Sequence, residues 1–192
     1  MDRVEEKRLI EQAIAGDADA FAALYRAHVQ TIFRYVTHRV GDAQLAEDLT
    51  GDVFTKALEG IPTYQDQGKP LIAWLYRIAH ARVVDHYRRT GRRPVEQDVD
   101  VTPIAVSPDM DEGMMRRQAA TSLKEAISRL TSDQQQVIIL RFIEGKRIEE
   151  VAQLLGKKPN AIKALQHRAL RSLGRALERS GIDIETIMAG LS

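Results

Sequence analysis

Apolar residues recur at spacings of three and four along most of the chain and rarely alternate with polar ones, which predicts an all-α protein. The first clear stripe, Phe21, Leu24, Val29, Ile32, Val36 and Val40, predicts a helix from about Asp19 to Val40, closed by Gly41 as a left-handed C′ residue. A second helix follows Asp42 as N-cap, turns Leu45, Leu49, Val53 and Ala57 inward and stops at Gly60 and Pro62. Tyr64 to Gly68 reads as a loop. A third helix opens near Pro70, which suits the first helical position, and continues to about Thr90. At about 100° per residue, Leu75, Ile78, Ala79 and Val83 share one side, and Arg77, His80, Ala81, Val84 and Arg88 share the other. That second side is neither a core nor an ordinary charged face.

Residues 91–112 contain Pro94, Pro103 and Pro108, lack helical periodicity and read as a linker at a domain boundary. Helix resumes near Glu112 and runs through Leu123 and Ile127 to Leu130. Thr131 with Gln134 three residues later has the spacing of a capping box, opening a helix that buries Val137, Ile138 and Leu140 and ends at Gly145. A short helix with Val151, Ala152 and Leu155 inward then meets Gly156, a tight turn and Pro159 at the start of a long amphipathic helix. This is the helix-turn-helix layout. On the long helix Ile162, Leu165, Ala169, Leu173 and Ala176 cover one side, and Asn160, Lys163, Ala164, His167, Arg168, Arg171 and Arg175 cover the opposite one.

The net charge of +1 conceals a strong segregation. Residues 69–93 carry seven cations against the single anion Asp85, and residues 157–179 carry seven against Glu178. Between them, residues 96–112 hold six acids and no cation. Basic segments concentrate polyanions, with nucleic acid the commonest partner, although charge alone fits two solvated helix faces equally well. In a DNA-binding helix-turn-helix the N-terminal part of the second helix enters the major groove. Asn160, Lys163 and His167 are then placed for base edges, and Arg168, Arg171 and Arg175 for phosphates.

The chain has no cysteine, which excludes disulfides, a Cys nucleophile and thiolate zinc sites and fits a reducing cytoplasm. Its N-terminus is charged from Asp2, and no apolar run approaches the roughly 18–20 residues of a membrane span, so a soluble, unsecreted protein is expected. His80, Asp85 and His86 are scattered around one helix and do not converge as metal ligands. No glycine-rich phosphate loop, zincin pair or Ser/His/Asp arrangement is present, so neither a cofactor nor an enzymatic activity is expected. Trp74 suits core anchoring or stacking on an unpaired base.

Three blocks in order, AEDLTGDVFTKAL at 46–58, AWLYRIAHARVVDHYRR at 73–89 and LTSDQQQVIILRFIEGKRIEEVAQLLG at 130–156, closely resemble bacterial RNA polymerase sigma factors of the extracytoplasmic-function group. The resemblance runs from about Ala15 to Arg179. It implies a sigma-2 domain over residues 1–90, the acidic linker over 91–112, a sigma-4 helix-turn-helix domain over 113–179 and a tail over 180–192. It further implies that Asp48, Asp52, Val53, Phe54 and Lys56 meet the β′ clamp helices of core polymerase, with the β flap as a second contact of the polymerase. Val53 also suits a core position. The minus-ten element would be melted and read by the loop from Tyr64 to Lys69, Trp74, Arg77, His80, Ala81, Val84, Arg88 and Arg89. Arg82 reaches Asp85 at i+3 and is given a structural role. The minus-35 duplex would be read by Lys158, Asn160, Lys163, Ala164, His167, Arg168 and Arg171. Promoter DNA, polymerase core and an anti-sigma factor are the implied partners.

Ala81 stands where the family commonly has Asn, and Arg147 and Lys158 stand where Ser or Thr normally caps the two helices. Each missing cap costs roughly 1 kcal/mol of helix stability, offset where the cations meet DNA phosphate. The competing reading is a two-domain regulator that binds operator DNA through its helix-turn-helix without polymerase. The tail residues Ile182, Ile184, Ile187 and Leu191 have near-helical spacing and suit packing on sigma-4 or binding a regulator.

Overall fold

Asp2, Asp17 and Asp42 each accept hydrogen bonds from the first turn of a helix, and these caps start α1 (Arg3–Ile14), α2 (Ala18–Val40) and α3 (Ala43–Gly60). The computed structural model describes residues 1–91 and 121–179. The acidic linker and the tail therefore lie outside the described residues. Gly41 closes α2 with a left-handed φ of 75°, as its position after the apolar stripe predicts. A 3-10 turn at Ile61–Thr63 carries Pro62 and leads through the loop to α4 (Leu71–Thr90). Pro70 is the N-cap of α4 rather than its first helical residue, and it supplies no side-chain cap.

Residues 121–128 are helical (α5) and end against α6 (Ser132–Ile138). Thr131 and Gln134 form the expected capping box. The buried Gln135 donates from Nε2 to the carbonyls of Ile127 and Ser128 at 3.0 and 3.1 Å, tying α6 to the end of α5, where Ile127 O also accepts from Leu130 N. A π-helical turn, Ile139–Ile143, then leads to α7 (Ile148–Leu155) and α8 (Pro159–Arg179).

Leu24, Ile32, Val36, Leu49, Val53, Ala57, Leu75, Ala79 and Val83 meet in one core with Val137, Ile139, Leu140, Val151, Leu154 and Ile162. The helices before and after the linker are thus packed together. Arg34 Nη2 lies 3.0 Å from Glu144 Oε2, and Lys124 Nζ donates to the carbonyl of Gly41 at 3.1 Å across the same seam. A smaller core of Ala126, Leu130, Ile138, Ala169, Leu173 and Leu177 fixes α8 on α5 and α6. Among the described residues no helix is long and apolar enough to cross a membrane.

Candidate nucleic-acid interface

The geometry of α7 and α8 follows from a left-handed turn and a two-sided helix. Gly156 ends α7 at φ +64°, where its N–H reaches the carbonyls of Ala152 and Gln153. A β-carbon-bearing residue is strained in that conformation. Ile162 and Ala169 are fully buried on the inward side of α8, while Lys158, Asn160, Lys163, Ala164, His167, Arg168 and Arg171 are exposed. Arg168 Nε folds back on the carbonyl of Ala164 at 3.3 Å, whereas Lys157 is drawn to Asp133 at 3.1 Å. The predicted recognition face is therefore displayed as one surface, with Lys157 engaged beside it.

Arg147 cannot accept a hydrogen bond as Ser or Thr does at the N-cap of α7. Glu150 provides the other half of the cap instead, its Oε2 accepting from Arg147 N at 2.7 Å and from Nε at 3.2 Å. These bonds and the Arg147 charge hold the Glu150 carboxyl below its ordinary pKa. Glu150 thus supplies only the reciprocal half of the box, and the first-turn amides that Ser or Thr would cap receive no side-chain acceptor from Arg147.

The second surface is built where the loop after the 3-10 turn meets α4. Tyr64 and Trp74 stack obliquely with ring centroids 5.0 Å apart, and the indole lies so close to Gly60 that a methyl there would sit 3.1 Å from Cζ2. Trp74 is half-buried, anchored against Gly60 and Tyr64. With Lys69, Arg77 and residues Leu154 to Gly156 it lines a cavity of about 220 Å³. Arg77, Ala81, Val84, Arg88 and Arg89 are exposed along α4. Asp85 pairs with Arg82 as anticipated and also with Arg88, each at 3.2 Å. The Arg88 side chain is still 78% exposed, which leaves its guanidinium accessible to a phosphate.

His80 departs from the predicted strand-facing set. Its Nδ1 is 3.3 Å from Arg39 Nη1, and because a guanidinium only donates, Nδ1 accepts and the ring proton sits on Nε2. Burial, reinforced by the Arg39 charge, pushes the His80 pKa down to about 4. A neutral imidazole brings no positive charge to a phosphate at neutral pH, and its Nδ1 is engaged by Arg39. Arg39 is itself buried and donates to Tyr35 Oη at 2.9 Å and Ser132 Oγ at 2.7 Å. Sequence periodicity passed over it because a cation on a buried face is identified only by the partners that fold around it.

On α3, Asp48, Asp52 and Lys56 are exposed, with Lys56 Nζ 2.7 Å from Glu59. Val53 takes the core position expected of it, and Phe54 is corrected as a surface contact. Val53 is fully buried, and Phe54 is 6% exposed with its ring edge-to-face on Tyr25 at 4.8 Å. Leu58, absent from the expected set, is 54% exposed on the same helix.

Family models for Sigma-70 region 2 and Sigma-70, region 4 match residues 24–93 and 120–173. The chain is 37% identical over 179 residues to the ECF RNA polymerase sigma factor BldN of Streptomyces coelicolor, covering 92% of this chain and 67% of that protein. It is 35% identical to the ECF RNA polymerase sigma factor ShbA of Streptomyces griseus, covering 88% and 93%. In fold it is similar to the sigma factor RpoE solved in complex with the anti-sigma factor NepR from Bartonella quintana, with a TM-score of 0.60 and 23% identity over 82% and 96% of the two chains. With region 2 ending at the exposed cationic face of α4, and region 4 carrying the helix-turn-helix of α7 and α8, the chain belongs to the extracytoplasmic-function group of RNA polymerase sigma factors.

Proposed function

We propose that the chain binds core polymerase through the exposed acids of α3, reads the minus-35 duplex with the N-terminal half of α8, and opens and reads the minus-ten element with α4 and the loop before it. The observation that carries this division is the unbroken exposed face of Lys158, Asn160, Lys163, His167, Arg168 and Arg171, set opposite a fully buried stripe. Such a face offers donors to base edges in its first turns and cations to phosphates further along. The Tyr64–Trp74 wall and the cations Lys69 and Arg77 support capture of an unstacked base beside its phosphates. On α3, Asp48 and Asp52 complement a basic partner surface.

Polymerase makes the phosphodiester bonds, and this subunit selects where they begin. Work at the bacterial promoter places the protein in the cytoplasm. The Bartonella relative was solved with an anti-sigma factor, which supports control of this chain by a partner of the same class. The test is run-off transcription over a promoter library with bacterial core polymerase, with and without the protein. Transcripts from a defined subset are expected and supply both recognition elements. Duplex binding without any core-dependent product, using core proven competent and matched to the source, selects the operator-binding regulator instead.

A further inference from the structure

Helix α1 precedes the stretch matched by the region 2 model, which begins at residue 24, yet it holds the loop assigned to the minus-ten element. Leu9, Ile10 and Ala13 are buried on one side of α1, and Glu6, at i−3, i−4 and i−7 from them, continues that side towards the N-terminus, with Arg3 one turn further on. Arg3 Nη2 donates to the carbonyl of Gly68 at 2.5 Å. The N–H of Gly68 is already held by Asp66 Oδ1 at 2.8 Å, and its φ is +73°. Gly68 is therefore gripped on both sides of its α-carbon, by the loop itself and by α1.

Glu6 completes the junction. The N-cap of α4, Pro70, has no side chain able to accept a hydrogen bond, so the first amides of that helix need an acceptor from elsewhere. Glu6 Oε2 accepts from Leu71 N at 3.5 Å, which also sets a negative charge at the positive end of α4. Its Oε1 lies 3.2 Å from His28 Nε2 without the alignment of a hydrogen bond, and both side chains are 13% exposed. The carboxylate is thereby sandwiched between α2 and the start of α4. Gln65, Gln67 and Lys69, which line the cavity beside Trp74, lie on the span between Tyr64 and these two anchors.

We propose that Arg3 and Glu6 are positioning residues for minus-ten selection. They fix the path of residues 64–70 and the entry into α4, and so determine which base the side chains of Gln65, Gln67 and Lys69 can meet. The inference rests on the assignment of this loop to the minus-ten element, and the experiment separates the two. Run-off transcription is measured with bacterial core polymerase on promoters varied separately in the minus-ten and minus-35 elements, using full-length wild type, Arg3→Ala, Arg3→Lys, Glu6→Ala and the loop variant Gln65→Ala/Gln67→Ala. Core affinity and thermal midpoint are measured alongside.

Arg3→Ala and Glu6→Ala are each expected to narrow the spread between preferred and disfavoured minus-ten bases about fivefold, the scale of one lost hydrogen bond. Minus-35 ranking and core affinity stay unchanged, and Arg3→Lys, which retains a donor, recovers most of the spread. A uniform loss on all promoters with the minus-ten ranking intact would show that α1 is only a structural support and overturn the proposal. A loop variant that narrows the spread while Arg3→Ala and Glu6→Ala leave it unchanged also overturns the positioning role, with the loop assignment surviving. An unchanged ranking in the loop variant removes that assignment and the proposal with it.

Discussion

His80 shows how one neighbour redirects a side chain. Its position on α4 places it among strand-facing residues, but Arg39 and the packing of α6 turn it inward as a neutral acceptor. Unfolded, the imidazole protonates near its ordinary value, whereas the packed ring resists protonation down to about pH 4. Between those values the unfolded state binds more protons, so stability falls as pH is lowered from about 6.5 towards 4. His28 and His38, also lowered chiefly by burial, act in the same direction. His80→Asn, which keeps an acceptor for Arg39 without titrating, is expected to flatten the decline of the thermal midpoint between pH 7 and 5. An unaltered slope in calorimetry would assign that decline to the other histidines. On α8, Lys163→Ala is expected to relax minus-35 base preference at a cost of about 1–3 kcal/mol. Arg171→Ala is expected to weaken binding across sequences and reduce the salt slope by about 1. Fluorescence anisotropy on duplexes at several salt concentrations distinguishes them, and matching effects would dissolve the division between base and phosphate contacts.

At the scale of the element, α3 is legible because its two sides differ so sharply. Leu49, Val53 and Ala57 are buried, while Asp48 and Asp52 are exposed. Asp52→Arg is expected to weaken core-polymerase binding about tenfold, the effect of a charge contribution of about 1.4 kcal/mol, with helicity unchanged. Equal affinity in a pull-down titration would take α3 out of that interface. The α7–α8 turn carries a different constraint, because Gly156 needs its left-handed φ of +64° and has Lys69 Nζ 3.3 Å from where a β-carbon would stand. Gly156→Ala is expected to cost roughly 1 kcal/mol in thermal or urea unfolding. No loss of stability would mean that the turn relaxes out of the left-handed region. Caps, stripes and this turn could be read from residue order because they depend on neighbours within four positions. Helix α1 could not, since its weakly apolar face gains meaning only against α2 and the 3-10 turn.

The whole molecule packs the end of α7 against the surface proposed for the minus-ten element. Residues Leu154 to Gly156 at the end of α7 form one wall of the cavity whose other walls include Lys69, Trp74 and Arg77. Promoter elements about 25 base pairs apart are separated by roughly 85 Å at about 3.4 Å per pair. On the assignments proposed above, promoter engagement is therefore expected to part the helix-turn-helix from α4. The Arg34 guanidinium is 58% exposed but the Glu144 side chain only 6%, so removing the cation strands a nearly buried carboxylate, while burying a leucine such as Leu154 contributes about 1.5–3 kcal/mol to the same seam. Arg34→Glu is accordingly expected to shift the packed-to-parted ratio towards the parted state by at least about fivefold, and adding Glu144→Arg should restore it. The chain has no cysteine, so labels introduced at the exposed Ala43 and Gln153 report the distance distribution cleanly. A double swap that parts the helices further than the single change would remove this ion pair from the seam.

Residue order by itself determined the all-helical fold, the helix-turn-helix with its cationic face and the three blocks that mark the family. Each of these is written in local periodicity, turn chemistry or charge, which need no distant partner. Tertiary structure alone decided that Phe54 is core, that His80 faces Arg39, and that α1 grips the loop before α4. Those outcomes turn on side chains brought together from different helices, some of them more than sixty positions apart in sequence. Burial and hydrogen-bond partners at such separations are set by the packing of whole helices, which no window along the chain contains.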